Sequence, residues 1–173
     1  MMPYQVGESV LYGIHGVCRI EGVEDKLIDG NSVTYYVLNP IFESGSTIYT
    51  PVDSEKTKAK MRPLLSAPEI FRLIRSMPGE NMIWLENENE NDRKNRYREI
   101  IAGGDRTELI RLIKTLYFQK QTRAETGKKP LASDNHFMKD AEKVLYDEFA
   151  HVLNIKREEI VPFIREQIEY KGG

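Results

Sequence analysis

Between residues 6 and 62 the apolar side chains alternate with polar or small ones in short runs, the period-two pattern of half-buried strands. In residues 6–12, Val6, Glu8, Val10 and Tyr12 fall on one side and Gly7, Ser9 and Leu11 on the other; Gly13 to Gly16 is a turn. Residues 17–28 form a longer strand in which Cys18, Ile20 and Gly22 oppose Val17, Arg19, Glu21 and Val23. Asp29-Gly30 is a two-residue hairpin signal, because the favoured turn needs positive φ at both central positions. Residues 33–38 (VTYYVL) are dense in β-branched and aromatic side chains, and residues 47–52 (TIYTPV) give a fourth strand after the Ser44-Gly45 turn. Pro51 has no N–H for a ladder, so that end of the strand is expected at a sheet edge or a strand terminus. A fifth short strand is expected near residues 59–62.

After Arg62-Pro63 the period becomes helical. Ser66-Ala67-Pro68-Glu69 is a capping box with an early proline; Ile70, Phe71, Ile74 and Met77 follow at helical spacing, and Pro78-Gly79 stops the run. A second helix is expected over residues 93–101, ended by Gly103-Gly104. A third is capped at Asp105, with Leu109, Leu112, Ile113, Leu116 and Tyr117 as its apolar face, before a loop over residues 122–130. A long helix starts at Ser133 or Asp134 and buries Phe137, Met138, Ala141, Val144, Leu145, Phe149 and Val152. In the last helix, from about residue 157, Pro162 implies a kink or a later start. The expected fold class is α+β: a small SH3-like or Tudor-like barrel over residues 1–63 and an all-helical domain over residues 64–173. A barrel of that size is marginal alone and should lean on the helices.

Composition narrows the function classes. With 30% charged and 40% hydrophobic residues, the chain is of the soluble globular type. Cys18 is the only cysteine, which excludes an intramolecular disulfide and a thiolate-rich zinc site. The N-terminus lacks the pattern of a signal peptide, and no apolar run approaches the ~18–20 residues of a membrane span, so a cytoplasmic location is expected. Nucleophile elbow, phosphate loop and dinucleotide fingerprint are all missing. His15, His136 and His151 read as surface or turn residues, and Cys18 as a small apolar filler in preference to a thiol–imidazole partner of His15. Glu86, Glu88, Glu90 and Asp92 lack the spacing of a calcium loop and read as a solvated segment. No catalytic residue, metal, cofactor or small-molecule substrate is expected.

Charge is distributed unevenly. From Asp92 to Pro130 eleven Lys and Arg face five Asp and Glu, a local excess of six positive charges in a chain whose net charge is −2. A polyanion-binding face has this form, with Arg93, Lys94, Arg96, Lys128 and Lys129 as the groups that grip phosphates; helix surfaces laced with intrahelical ion pairs have it too. Trp84, the only tryptophan, reads either as a core anchor beside Ile83 and Leu85 or as an apolar wedge at a distorted DNA step.

Assembled in order, these features resemble the CarD/CdnL transcription regulators. The run from Tyr4 to Val17 (YQVGESVLYGIHGV) is similar to their opening V-G-D…V-V-Y-x-x-H-G, and Tyr35-Tyr36-Val37-Leu38 to their Y-Y-V-L strand. The run from Thr47 to Val52 (TIYTPV), followed by Arg62-Pro63, is similar to their V-P-V…R, Arg96-Tyr97 through Gly104-Asp105 to an R-Y…S-G-D helix end, and residues 143–150 to L-L-x-x-E-L-A. The resemblance implies a barrel that docks on the β subunit of RNA polymerase by pairing an edge strand, through Thr47, Ile48, Tyr49, Thr50 and Pro51, with Lys26 as a basic contact. Tyr49 departs from the arginine of some members. It also implies a helical domain that touches promoter DNA with little sequence preference and modulates the open complex. The family's wedge tryptophan lies about one helical turn before the Arg-Tyr pair; here Arg93 holds that place and Trp84 lies nine residues earlier. Either the acidic tract re-presents Trp84, or the wedge is missing. A protein-interaction adaptor without DNA contact is the alternative, and a detached relative of the transcription–repair coupling factor barrel is a further one.

Overall fold

The computed structural model describes residues 3–83 and 89–169. Among these, five strands form one antiparallel sheet: β1 (Ser9–Tyr12), β2 (Val17–Ile28), β3 (Asn31–Pro40), β4 (Ile48–Pro51) and β5 (Met61–Pro63), in the order β4-β3-β2-β1-β5. Asp29 (φ 51°) and Gly30 (φ 82°) both take positive φ, as the hairpin signal requires. The β2–β3 register shifts between Ile20 and Gly22, an irregularity that bends the strand.

The sheet curls strongly. β1 and β4 are three ladder spacings apart, about 14 Å on a flat sheet. Yet the Tyr12 hydroxyl donates to Thr50 Oγ1 at 2.8 Å. Thr50 Oγ1 in turn lies 2.6 Å from Thr57 Oγ1, on a short helix α1 (Glu55–Lys60). Val10, Tyr12, Cys18, Ile20, Tyr36, Leu38, Val52 and Met61 form one apolar cluster inside the curl. β4 and β5 do not pair with each other, so the expected barrel is a curled sheet whose gap is bridged by side chains of α1. That helix departs from the sequence reading: Ser54 caps it, accepting from the Lys56 N–H at 3.2 Å, and the fifth strand starts only at Met61.

Five longer helices follow: α2 (Ala67–Ser76), α3 (Glu90–Gly103), α4 (Arg106–Glu125), α5 (Ala132–Leu153) and α6 (Ile160–Glu169). Both bonds of the Ser66/Glu69 capping box are made, and Asp105 caps α4 by accepting from the Glu108 N–H. α3 starts before its apolar pattern does because Asn89 caps it, and α4 runs on into the expected loop. Pro162 sits in the first turn of α6, where no N–H is needed, so the later start holds. On α4 the buried stripe includes Ile110, whereas Tyr117, expected inside, is 54% exposed. None of these helices is long and apolar enough to cross a membrane.

β1 is buried on both faces. Val10 and Tyr12 point into the curl, while Leu11, opposite Val17, joins the core of the helices with Ile101, Val144 and Phe149. Gly104 ends α3 at φ 73°, and a Cβ there would lie 2.9 Å from Arg62 Cδ and 3.2 Å from Leu11 Cδ2. Conformation favours glycine there, and a side chain would have to push Arg62 and Leu11 aside. The crossing from sheet to helices is pinned by Glu148, which is fully buried. Its carboxylate accepts from Arg106 Nε at 2.9 Å, from Arg106 Nη2 at 2.6 Å and from the Leu65 N–H at 2.9 Å. Arg106 Nη2 also donates to the Pro63 carbonyl at 2.9 Å. Lys143 on α5 adds a second tie, donating to the His15 carbonyl at 3.1 Å and pairing with Glu43 at 3.0 Å.

Removing one member of a buried pair strands the other, so Glu148→Ala is expected to cost about 3–5 kcal/mol in urea unfolding. A loss below about 1 kcal/mol would remove the crossing from the account. Thr50→Val, which leaves the Tyr12 and Thr57 hydroxyls without their shared partner, is expected to cost about 1–3 kcal/mol by the same measurement.

Candidate functional site

β4 ends the sheet, and its ladder to β3 fixes which backbone groups are free. The Val52 N–H donates to the Thr34 carbonyl at 2.9 Å, and Pro51 stands opposite Tyr35. In an antiparallel pair the hydrogen-bonding residues alternate. Ile48, Thr50 and Val52 therefore turn their backbone groups toward β3, whereas Tyr49 turns its N–H and C=O away, and Pro51 its C=O. Among the described residues no strand pairs with that margin. On the opposite margin, β5, Arg62 and Pro63 are exposed but the outward groups are bonded within the chain: the Met61 N–H donates to the Thr57 carbonyl, and the Pro63 carbonyl accepts from Arg106.

Side chains on the outer face mark the free margin. Lys26 Nζ stands 3.6 Å from the centroid of the Tyr49 ring and 5.9 Å from that of Tyr35. Such a contact contributes about 0.5–1 kcal/mol at an exposed site, enough to favour the lysine over the edge. Tyr49 is 45% exposed. Thr47 is exposed just before the strand, where the Asn39 side-chain nitrogen, oriented to satisfy its neighbours, donates to Thr47 Oγ1 and the Ser46 carbonyl at 3.2 Å. Ile48 packs against the interior cluster, and Thr50 is buried in its hydroxyl chain. Of the six residues grouped by the sequence reading, Lys26, Thr47 and Tyr49 thus present side chains outward and Pro51 is half-buried; Ile48 and Thr50 face inward. Tyr35 escapes that reading, although the alternation in VTYYVL already sets Tyr35 and Tyr36 on opposite faces.

A second cluster lies where α3 meets the ends of α4 and α5. Arg93, Arg123 and Lys94 act on Asp134, whose carboxyl is pushed up chiefly by burial and pulled back by these three cations. Lys94 pairs with Glu90 at 3.1 Å, one turn away, and Arg96 is half-buried. Lys128 and Lys129 are exposed on a loop held to α4: the Lys128 N–H donates to the Arg123 carbonyl, and Arg123 Nε to the Lys129 carbonyl, both at 2.8 Å. Trp84 lies outside the described residues. Several other cations of the basic segment are used internally. Arg106 binds Glu148, Arg111 binds Glu80 and Glu108, and Lys114 donates to the Glu80 carbonyl. The sequence-level charge excess therefore overstates the cationic surface.

Cys18 is fully buried, and burial pushes its thiol up to about 12, so no thiolate forms near neutral pH. His15 stacks on Tyr12, with ring centroids 6.0 Å apart, and burial pulls its imidazole down. Among the described residues no three His, Cys, Asp or Glu side chains are grouped to hold a metal ion.

Residues 4–65 match the family model of the CarD-like/TRCF RID domain, a span that takes in all five strands, α1 and the crossing to the helices. No curated protein matches the chain. The CarD-like family is one of non-catalytic regulators that interact with RNA polymerase. Over residues 4–65, then, this chain carries a CarD-like RNA polymerase-interacting domain.

Proposed function

We propose that the chain is a bacterial transcription regulator, without enzymatic activity, that docks on the RNA polymerase β subunit by strand addition at β4. It then brings the basic end of its helices to promoter DNA. One observation carries the reading: the two margins of the sheet differ, β5 having its Met61 N–H and Pro63 carbonyl bonded within the protein and β4 left with outward-facing backbone groups. An extended segment of a partner satisfies such groups through main-chain hydrogen bonds. Lys26 and Tyr49 lie beside it to set register and orientation.

Docking raises the effective concentration of Arg93, Lys94, Arg96, Lys128 and Lys129 at the promoter, so weak phosphate contacts suffice. If those contacts favour melted over duplex DNA by about 1.4 kcal/mol, the opening equilibrium moves tenfold. An adaptor that reaches no DNA is the second reading, and the internal pairing of Arg106, Arg111 and Lys114 favours it.

Tyr49→Pro removes the outward N–H and spares the bonds to β3. Capture of the isolated polymerase β-subunit lobe is expected to weaken about tenfold relative to Tyr49→Phe, the loss of one backbone hydrogen bond. Equal capture by the two variants, both melting like the parent, would end strand addition at this edge. With polymerase and promoter together, a Lys128→Ala/Lys129→Ala double variant is expected to reduce the slope of log K against log salt by about 1.8. An unchanged slope would favour the adaptor.

A further inference from the structure

Where β5, α2 and the start of α4 meet, the surface folds into a cleft of about 480 Å³. Three arginines line it, one from each element: Arg62, Arg72 and Arg106. The side chain of Arg106 is nine-tenths buried, with 10% of its surface exposed. Its Nε and Nη2 are taken by Glu148 and the Pro63 carbonyl, whereas its Nη1 has no partner among the described residues and is not sealed from water. Glu148 thus fixes a guanidinium in the cleft wall with one nitrogen to spare. Arg62 uses only its Nε, on the Gly103 carbonyl, and Arg72 makes no hydrogen bond or ion pair among the described residues. The first turn of α4 adds the Thr107 hydroxyl, likewise without a partner there, and the amides of Arg106 and Thr107, which the Asp105 cap does not reach.

Two carboxylates share the lining, and both are engaged in helix caps. Glu69 accepts from the N–H and the hydroxyl of Ser66, and Asp105 from the Glu108 N–H. Their charges offset part of the cationic excess, so binding here rests on directed donors and not on field alone. What is left unpaired is a set of N–H and O–H donors from three elements, which calls for a ligand with several acceptor oxygens. A carboxylate offers two oxygens in one plane, enough for one guanidinium. A phosphate monoester offers three, arranged tetrahedrally, and a helix start is a ready site for phosphate. The cleft exceeds the ~300 Å³ at which sites for whole small ligands begin. Leu65 and Leu73 give it an apolar wall, so the group that carries the phosphate has a place as well.

We propose that this cleft binds a small phosphate ester, with Arg62, Arg72 and Arg106 Nη1 donating to the phosphate at the start of α4 and Leu65 and Leu73 against the organic part. A DNA backbone carries the same group, but its phosphates are gripped from outside the duplex and need no recess of this volume. The cleft is separate from the basic corner, because it lies at the other end of α4, a helix of 20 residues and so about 30 Å long. It requires neither strand addition at β4 nor DNA contact. An occupied cleft ties β5, α2 and α4 together, so its ligand raises the melting temperature of the chain.

The test uses the full chain and calorimetric titration with phenyl phosphate, inorganic phosphate and benzoate. Phenyl phosphate is expected to saturate one site with a Kd on the order of 1 mM or below, about tenfold tighter than benzoate, which has the same ring and a planar anion. Inorganic phosphate, without the ring, should bind more weakly than phenyl phosphate. Arg72→Gln should weaken phenyl phosphate about tenfold, the loss of one contact to a charged group, while melting like the parent. Arg62→Gln repeats the test from β5; Arg106 is left intact because its loss strands Glu148. Lys128→Ala/Lys129→Ala should change nothing. Absence of saturation, equal binding of benzoate, or a loss in the lysine variant with none in the two arginine variants overturns the site. The last arm adds a duplex of about 20 base pairs at low salt. If the duplex displaces phenyl phosphate and its own binding falls in Arg72→Gln, the phosphate belongs to DNA and the small-molecule source is overturned.

Discussion

A carboxylate sealed from water dominates the architecture. Glu148 has no solvent contact, so its charge must be met within the protein, and its two oxygens are met by one guanidinium and one backbone N–H. Those partners come from α4 and from the three residues that leave the sheet. The chain can therefore pass from strand to helix along only one path, past Pro63 and Leu65 beneath Arg106. Such ion pairs add little net energy compared with a well-packed apolar replacement; what they supply is a cost for every alternative arrangement. Here the arrangement so fixed is the seating of the curled sheet on the helices, reinforced by Leu11 and Val17 in the helical core and by the close approach at Gly104.

That seating decides the fate of the two sheet margins. On one of them the Met61 N–H and the Pro63 carbonyl are bonded within the chain, to Thr57 and Arg106. The other stands at the far end of the strand order, flanked by an exposed tyrosine and a lysine. A small sheet of this kind has two unsatisfied edges by construction. Bonds to the short helix α1 and to Arg106 occupy one of them, so among the described residues β4 is the free margin, and the basic corner of the helices is held in fixed relation to it.

Much of this was legible in the sequence. The strand order of events, the Asp29-Gly30 hairpin, the Ser66 capping box, the Asp105 cap and the shift of period at Pro63 all follow local rules that tertiary contacts do not override. α1 was not legible, because six residues with no apolar stripe carry no periodic signal; Ser54 and the closing contact of Thr57 with Thr50 explain it only once the sheet has curled. The edge strand was legible as an element but not in its sidedness. Thr50 and Tyr49 look equally available in a sequence, and only the ladder to β3 shows that they face opposite ways. Charge was misleading for a similar reason: Arg106 and Arg111 count toward a cationic surface until their partners, 42 and 31 residues away, are known. Asp134 gave no signal, since a first-turn acid is ordinary and its isolation depends on three helices.

Pro51 has an effect beyond marking the end of a strand. An open β margin is a template on which like chains stack, and each added rung requires a donor at every second residue. Here the outward positions offer an N–H at Tyr49 and none two residues later, so a ladder growing along the margin runs out at the ring of the proline. Two copies of this protein meeting edge to edge thus gain too few bonds to propagate a fibril, while a short heterologous segment can still be accommodated. The same missing hydrogen that shortens the open margin keeps it from becoming a seed.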